Sequence, residues 1–83
     1  MIADIKRVLT EMVKLLVDHP EDVKIDVVET TWTIVCTIHV DENDKGKVIG
    51  RRGQTMKSIA RVLTAACRRT EKRSVQVGLA DLS

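Results

Sequence analysis

The chain has 83 residues, of which 43% are hydrophobic and 31% charged. That apolar share fills one small core and is too large for a disordered tail, so one domain over 1–83 is expected. Apolar runs such as Leu15-Leu16-Val17 and Ile34-Val35-Cys36 fall far short of the roughly 18 residues of a membrane span. The opening MIADIKRV is already amphipathic and does not read as a secretory leader. One Trp, with no Phe or Tyr, argues against RNA binders that stack bases on sheet aromatics. Two cysteines are a poor disulfide framework, so they are read as reduced and the chain as cytoplasmic.

The net charge of +2 conceals an asymmetry. Residues 1–44 carry four basic and ten acidic side chains, whereas 45–73 carry ten basic ones against Glu71 alone, a local charge of +9. Such a field suits a polyanion: RNA, DNA or an anionic membrane. The plainer reading is a solvated helix face.

In chain order, Ile5, Val8, Leu9, Met12, Leu15 and Leu16 recur at helical spacing and predict an amphipathic helix over about 3–18. Asp18-His19-Pro20 stops it, because a residue before proline avoids the helical region. Val23, Ile25 and Val27 alternate with polar neighbours, which predicts a strand reaching Val28. A turn at Glu29-Thr30-Thr31 leads to a second strand, with Trp32, Ile34, Cys36, Ile38 and Val40 on one face. Asp41-Glu42-Asn43-Asp44 offers N-caps for a short helix over about 43–49. A longer helix over about 54–69 presents Met56, Ile59, Ala60, Leu63, Ala66 and Cys67 as one stripe. Val75, Val77 and Leu79 predict a last strand, followed by a tail over 80–83. The expected fold is α/β, a two-layer α+β sandwich of order α-β-β-α-α-β. The first two strands form an antiparallel hairpin, and a helical crossover makes the last two parallel. Helices cover one face of this three-stranded mixed sheet. The other, with Lys24, Asp26, Thr33, Thr37, His39, Ser74 and Gln76, faces water.

The segment richest in chemistry is Lys45 to Thr55, where Gly50 and Gly53 bracket Arg51 and Arg52 between two helices. Glycine opens backbone angles closed to other residues and lets a ligand backbone approach. A helix starting after Gly53 points free N–H groups at the loop, and the arginines add donors that match phosphate oxygens. Lys47 and Lys57 flank it. A Walker loop and a dinucleotide fingerprint are both excluded by the glycine spacing. A DNA helix-turn-helix fits poorly between strands. A lone G-x-x-G can also be no more than a tight turn.

Val48-Ile49-Gly50-Arg51-Arg52-Gly53, with Ile59 in the next helix, resembles the signature of KH domains, in which a G-x-x-G loop between two helices clamps about four single-stranded nucleotides. The element order resembles the type II form. The stretches Leu16–Val23, Gly46–Thr55 and Arg61–Ala66 are similar to the KhpA family of small stand-alone bacterial KH proteins. The resemblance divides the chain into an N-terminal helix and strand over 3–28 and a KH core over 32–79. It implies a cytoplasmic, non-enzymatic protein that binds single-stranded RNA, acting as an RNA chaperone or post-transcriptional regulator. It also implies a homodimer, or a complex with a KhpB (Jag or EloR) type partner, linked to cell elongation and envelope homeostasis. Gly50, Arg51, Arg52 and Gly53 match the clamp, and Val48 and Ile49 match the apolar helix end of the groove. Lys47, Thr55 and Lys57 lie beside it. Two arginines inside the loop favour backbone contact over base selection. The alternative function is an adaptor whose KH fold mainly assembles a complex.

The remaining residues have plainer expectations. Cys36 and Cys67 pack in the core, and no metal or other cofactor is expected. His19 serves a helix end as a cation, His39 lies on the open sheet face, and Trp32 anchors core or edge. Asp41, Glu42 and Asp44 are turn and cap residues, without the rest of a calcium loop. Arg68, Arg69, Lys72 and Arg73 either extend the RNA track or solubilise a loop. Val62, Ala65 and Ala66 form a small-residue flank, a possible interface for a second copy or a partner.

Overall fold

Alternating apolar residues and two helical stripes assemble here into one sheet under one layer of helices. The computed structural model describes residues 2–69 and 72–80. Their order is α1 (Ile2–Leu16), β1 (Lys24–Glu29), β2 (Thr33–His39), α2 (Lys45–Ile49), α3 (Gln54–Arg68) and β3 (Ser74–Leu79). Short 3-10 turns lie at Pro20–Asp22, Glu42–Asp44 and Arg51–Gly53. The sheet order is β1-β2-β3. Strands β1 and β2 are antiparallel, with Val27 opposite Cys36, and β2 and β3 are parallel, with Cys36 opposite Val77. This is the expected α+β arrangement, with element ends shifted by one or two residues.

The core lies between sheet and helices. The sheet contributes Ile25, Ile34, Cys36, Ile38, Val75 and Leu79, and the helices contribute Ile5, Leu9, Val13, Val48, Ile59, Leu63 and Cys67. Strict alternation along β2 buries Ile34, Cys36 and Ile38 and leaves Thr33, Val35, Thr37 and His39 on the far face. On that face His39 Nε2 lies 2.7 Å from Asp26 Oδ2. Cys36 and Cys67 are both free and buried, and burial pushes the Cys36 thiol pKa up.

Four apolar residues depart from expectation. In α1 the buried line is Ile5, Leu9 and Val13, one residue per turn, while Val8 is exposed and Leu15 is 88% exposed. Val13 completes the i, i+4, i+8 row that faces the sheet, which turns Leu15 outward. Ala66 of α3 is likewise exposed. Trp32 precedes β2 and is 75% exposed. Only its backbone is held, its carbonyl accepting from Ser74 N at 3.2 Å. At the other end of the sheet, Ala80 N donates to Ile38 O at 2.9 Å, so the turn after β3 is pinned. Residues 81–83 of the expected tail lie outside the described residues.

One side chain fastens α3 to the outer strand. Thr64 Oγ1 accepts from Val75 N and donates to Val75 O, both at 3.1 Å. Strand β3 ends the sheet, so these backbone groups point away from β2 and would otherwise be orphaned beside a buried residue. The isosteric substitution Thr64→Val is expected to lower unfolding free energy by about 1–3 kcal/mol, read as a lower urea midpoint. Thr64→Ser, which keeps the hydroxyl, should recover most of the loss.

Candidate nucleic-acid interface

Helix α2 is five residues long, too short to persist unaided. Two attachments hold it. Val48 is fully buried in the core. Asp44, immediately before the helix, has 1% of its surface exposed and is a hydrogen-bond hub. Its Oδ1 accepts from Asp18 N at 3.2 Å, and its Oδ2 accepts from His19 N at 3.0 Å. His19 Nδ1 lies 3.2 Å from Oδ2, and Lys47 Nζ lies 3.5 Å from Oδ1. Of the expected cap residues, Asp41 does the capping: its Oδ2 accepts from Asn43 N at 2.9 Å.

Burial opposes the charge on Asp44, yet the backbone donors of Asp18 and His19, with His19 and Lys47, hold its pKa below the ordinary carboxylate value. The hydrogen bond to Asp44 raises the His19 pKa against opposing burial, with added help from Asp41 and Glu21. Lys47 is raised by its bond to Asp18 at 2.9 Å and, more weakly, by Asp44. His19, Asp41 and Asp44 come within 4.8 Å of one another, but the buried oxygens of Asp44 already face four donors. The cluster is a joint, not a metal centre.

Beyond α2 the chain makes a turn that only glycine can begin. Gly50 has φ 76° and ψ 175°. A Cβ there would lie 2.5 Å from Thr55 Cβ and 2.9 Å from Thr55 N, so side chain and backbone both forbid substitution. Gly53, at φ 75°, closes the turn with its N–H on Gly50 O at 3.1 Å. Between them Arg52 adopts a left-handed conformation, φ 56° and ψ 26°, at a cost of about 1 kcal/mol for a non-glycine residue. The result is a tight loop presenting two exposed arginines where α3 begins. The first turn of that helix lacks helical partners for its N–H groups, although Gln54 N donates to Arg51 O.

The expected site residues fall into two groups. Arg51, Arg52 and Lys57 are exposed, and among the described residues none has a carboxylate partner. Gly50 and Gly53 shape the loop, and half-buried Thr55 packs under Gly50. Half-buried Ile49 reaches the surface. Val48 does not, and it anchors α2 from inside. Lys47 is committed to Asp18 and Asp44. Arg73 is committed as well: its Nη1 lies 2.8 Å from Glu29 Oε2 and 3.3 Å from Thr30 O. The Asp44 hub escaped sequence reasoning because its donors lie 25 and 26 residues away.

The chain matches the family model described as KhpA/KhpB, KH domain, over residues 6–79. It is 40% identical over 68 residues to a protein of Chlamydia pneumoniae named RNA-binding protein KhpA, covering 82% of this chain and 87% of that one. It is 39% identical over 70 residues to the protein of that name from Borreliella burgdorferi, covering 84% of each. A third, from Chlamydia caviae, is 40% identical over 73 residues, 87% of this chain and 94% of that one. No solved structure gives a significant match. No helix among the described residues is long and apolar enough to cross a membrane.

The His19–Asp44 pair makes a signed prediction. A histidine whose folded pKa is raised above 6.5 contributes stability in full below about pH 6.5 and loses it as pH climbs through the raised value. The gap in urea midpoint between wild type and His19→Asn should therefore be widest below about pH 6.5 and narrow on the alkaline side. A gap that widens with pH would show that the ring does not protonate against Asp44.

Proposed function

The chain belongs to the KhpA/KhpB KH-domain family, and we propose that it binds single-stranded RNA, without catalysis, by seating the sugar–phosphate backbone on the Gly50–Gly53 loop. The observation that carries this reading is the pair Arg51 and Arg52. They are exposed and free of carboxylate partners among the described residues, on a loop whose first glycine admits no Cβ. Guanidinium groups at a helix start match phosphate oxygens. The relatives' name, RNA-binding protein KhpA, supports the same ligand. With no aromatic at the loop, recognition rests on backbone contact and tolerates many sequences.

Fluorescence polarisation with short single-stranded RNAs over a salt series tests the loop. Arg51→Gln/Arg52→Gln should flatten the slope of log affinity against log salt by about 1.4 for two lost phosphate contacts. Arg51→Asp/Arg52→Asp should nearly abolish binding with the circular dichroism spectrum unchanged. Equal binding by wild type and the folded aspartate variant would place RNA elsewhere.

A second reading, self-association or docking of a KhpB-type partner, is favoured by one feature. An open groove of about 480 Å³ runs between α1 and α3, lined by Met12, Leu15, Leu16, Thr55, Ile59 and Val62. Leu15 and Val62, at 88% and 58% exposed, leave apolar surface in water. Exposed Ala65 and Ala66 beside Val62 let another helix approach closely. Regulation by way of such a partner, including any tie to cell elongation, rests on this second reading. Val62→Asp should reduce a dimer to a monomer in light scattering, and retention of the wild-type mass would remove this interface.

A further inference from the structure

The described cations of the basic segment divide by whether an acid answers them. Lys45 pairs with Glu42 at 3.0 Å, Lys47 with Asp18, and Arg73 with Glu29. The acidic first half of the chain thus answers Lys45 and Lys47 at one end of the segment and Arg73 at the other. Beyond them, Arg51, Arg52, Lys57, Arg61, Arg68, Arg69 and Lys72 have no carboxylate partner among the described residues, and all seven are exposed.

Three of these cations share one strip of α3. At 100° per residue, Lys57, Arg61 and Arg68 fall within about 40° of one another around the helix axis and span about 16 Å along it. The position between them in the row is Thr64, whose hydroxyl is tied to Val75 of β3. The strip therefore lies on the shoulder of α3 that overhangs the outer strand. The opposite shoulder, with Ser58 and Val62, lines the groove against α1. Arg61 and Arg68 bound a shallow depression of about 300 Å³ with Ala60, Thr64 and Ala65. Its floor is small side chains, with a cation at each end.

We propose that Arg61 and Arg68, continuing from Lys57, form a second phosphate-contacting subsite that carries single-stranded RNA along the β3 shoulder of α3, beyond the nucleotides held at the Gly50–Gly53 loop. The inference rests on the RNA-binding reading of that loop and extends its footprint. A linear row of unanswered cations over a shallow trough fits a strand of regularly spaced phosphates. The apolar groove on the other shoulder carries none of the three. The α3 N-terminus joins the two subsites, so a strand leaving the loop meets Lys57 first, then Arg61, then Arg68.

The test uses single-stranded RNAs of four and twelve nucleotides over a salt series, with wild type, Arg61→Gln/Arg68→Gln and Arg51→Gln/Arg52→Gln. Circular dichroism checks that each variant is folded. The wild-type salt slope should be steeper for the twelve-mer than for the four-mer. Arg61→Gln/Arg68→Gln should remove about 1.4 of the twelve-mer slope and leave four-mer affinity unchanged. Arg51→Gln/Arg52→Gln should weaken both lengths. An unchanged twelve-mer slope in Arg61→Gln/Arg68→Gln overturns the second subsite, and so does an equal loss on the four-mer. Loss of the length-dependent slope with no effect of Arg51→Gln/Arg52→Gln would sustain the subsite and sink the loop clamp instead. Displacement of the twelve-mer by polyglutamate as readily as by unlabelled RNA would reassign the strip to an acidic protein.

Discussion

The carboxylate of Asp44 is the contact on which the presentation of the loop depends. It closes the corner where the chain leaves α1 and holds that corner against the start of α2. A five-residue helix has little stability of its own, yet α2 must aim Gly50–Gly53 consistently if the loop is to meet a ligand. Asp44 fixes its start from the polar side and Val48 fixes its middle from the apolar side. An unpaired buried carboxylate would be costly. Two backbone N–H groups, an imidazole and an ammonium make this one tolerable and hold it ionised. Lys47 is thereby drawn away from the surface field and into the joint.

That withdrawal belongs to a wider division of charge. The negative first half and positive second half of the chain are not two solvated poles. Asp18, Glu29 and Glu42 reach specific cations, and what they leave unanswered lies on the loop, along one shoulder of α3 and just past its end at Arg69 and Lys72. An exposed ion pair adds little stability. The pairing acts more on the shape of the field, because a cation already facing an acid contributes little to attracting a distant polyanion. The effective positive surface is narrower than the +9 of residues 45–73.

Much of this was readable from local pattern. Strict alternation in β2 and helical spacing in α3 located the sheet and the helix over it, and the glycine pair with its two arginines located the loop. These signals survive because each depends on neighbours within one turn or two strand positions. Other features depend on distant contacts. Asp44 looks like any cap residue until α1 ends beside it. Arg73 reads as a free cation until the parallel pairing of β2 and β3 brings it to Glu29 at the β1–β2 turn. Trp32 lies outside the core because alternation predicts a face but not where the strand begins. Val8 and Leu15 stay outside the core because a six-residue stripe is wider than the face α1 can bury once Val13 takes the central row.

Helix α3 sorts its charged and apolar side chains onto different flanks. Ile59, Leu63 and Cys67 face the core, and the two flanks beside that row meet different surroundings. Thr64 binds one flank to the outer strand, so the cations at 57, 61 and 68 stand over an edge with no helix beyond it among the described residues. Val62 and Ser58 stand on the other flank, over apolar side chains of α1. A helix of 15 residues is about 22 Å long, and its two exposed flanks meet at Ala65, which borders the depression beside Arg61 and Arg68. A phosphate strand needs the charged flank, and a second helix needs the apolar one, where an unpaired arginine would be costly to bury. Charge sorting around a single helix thus gives the proposed RNA strip and the proposed docking flank largely separate faces.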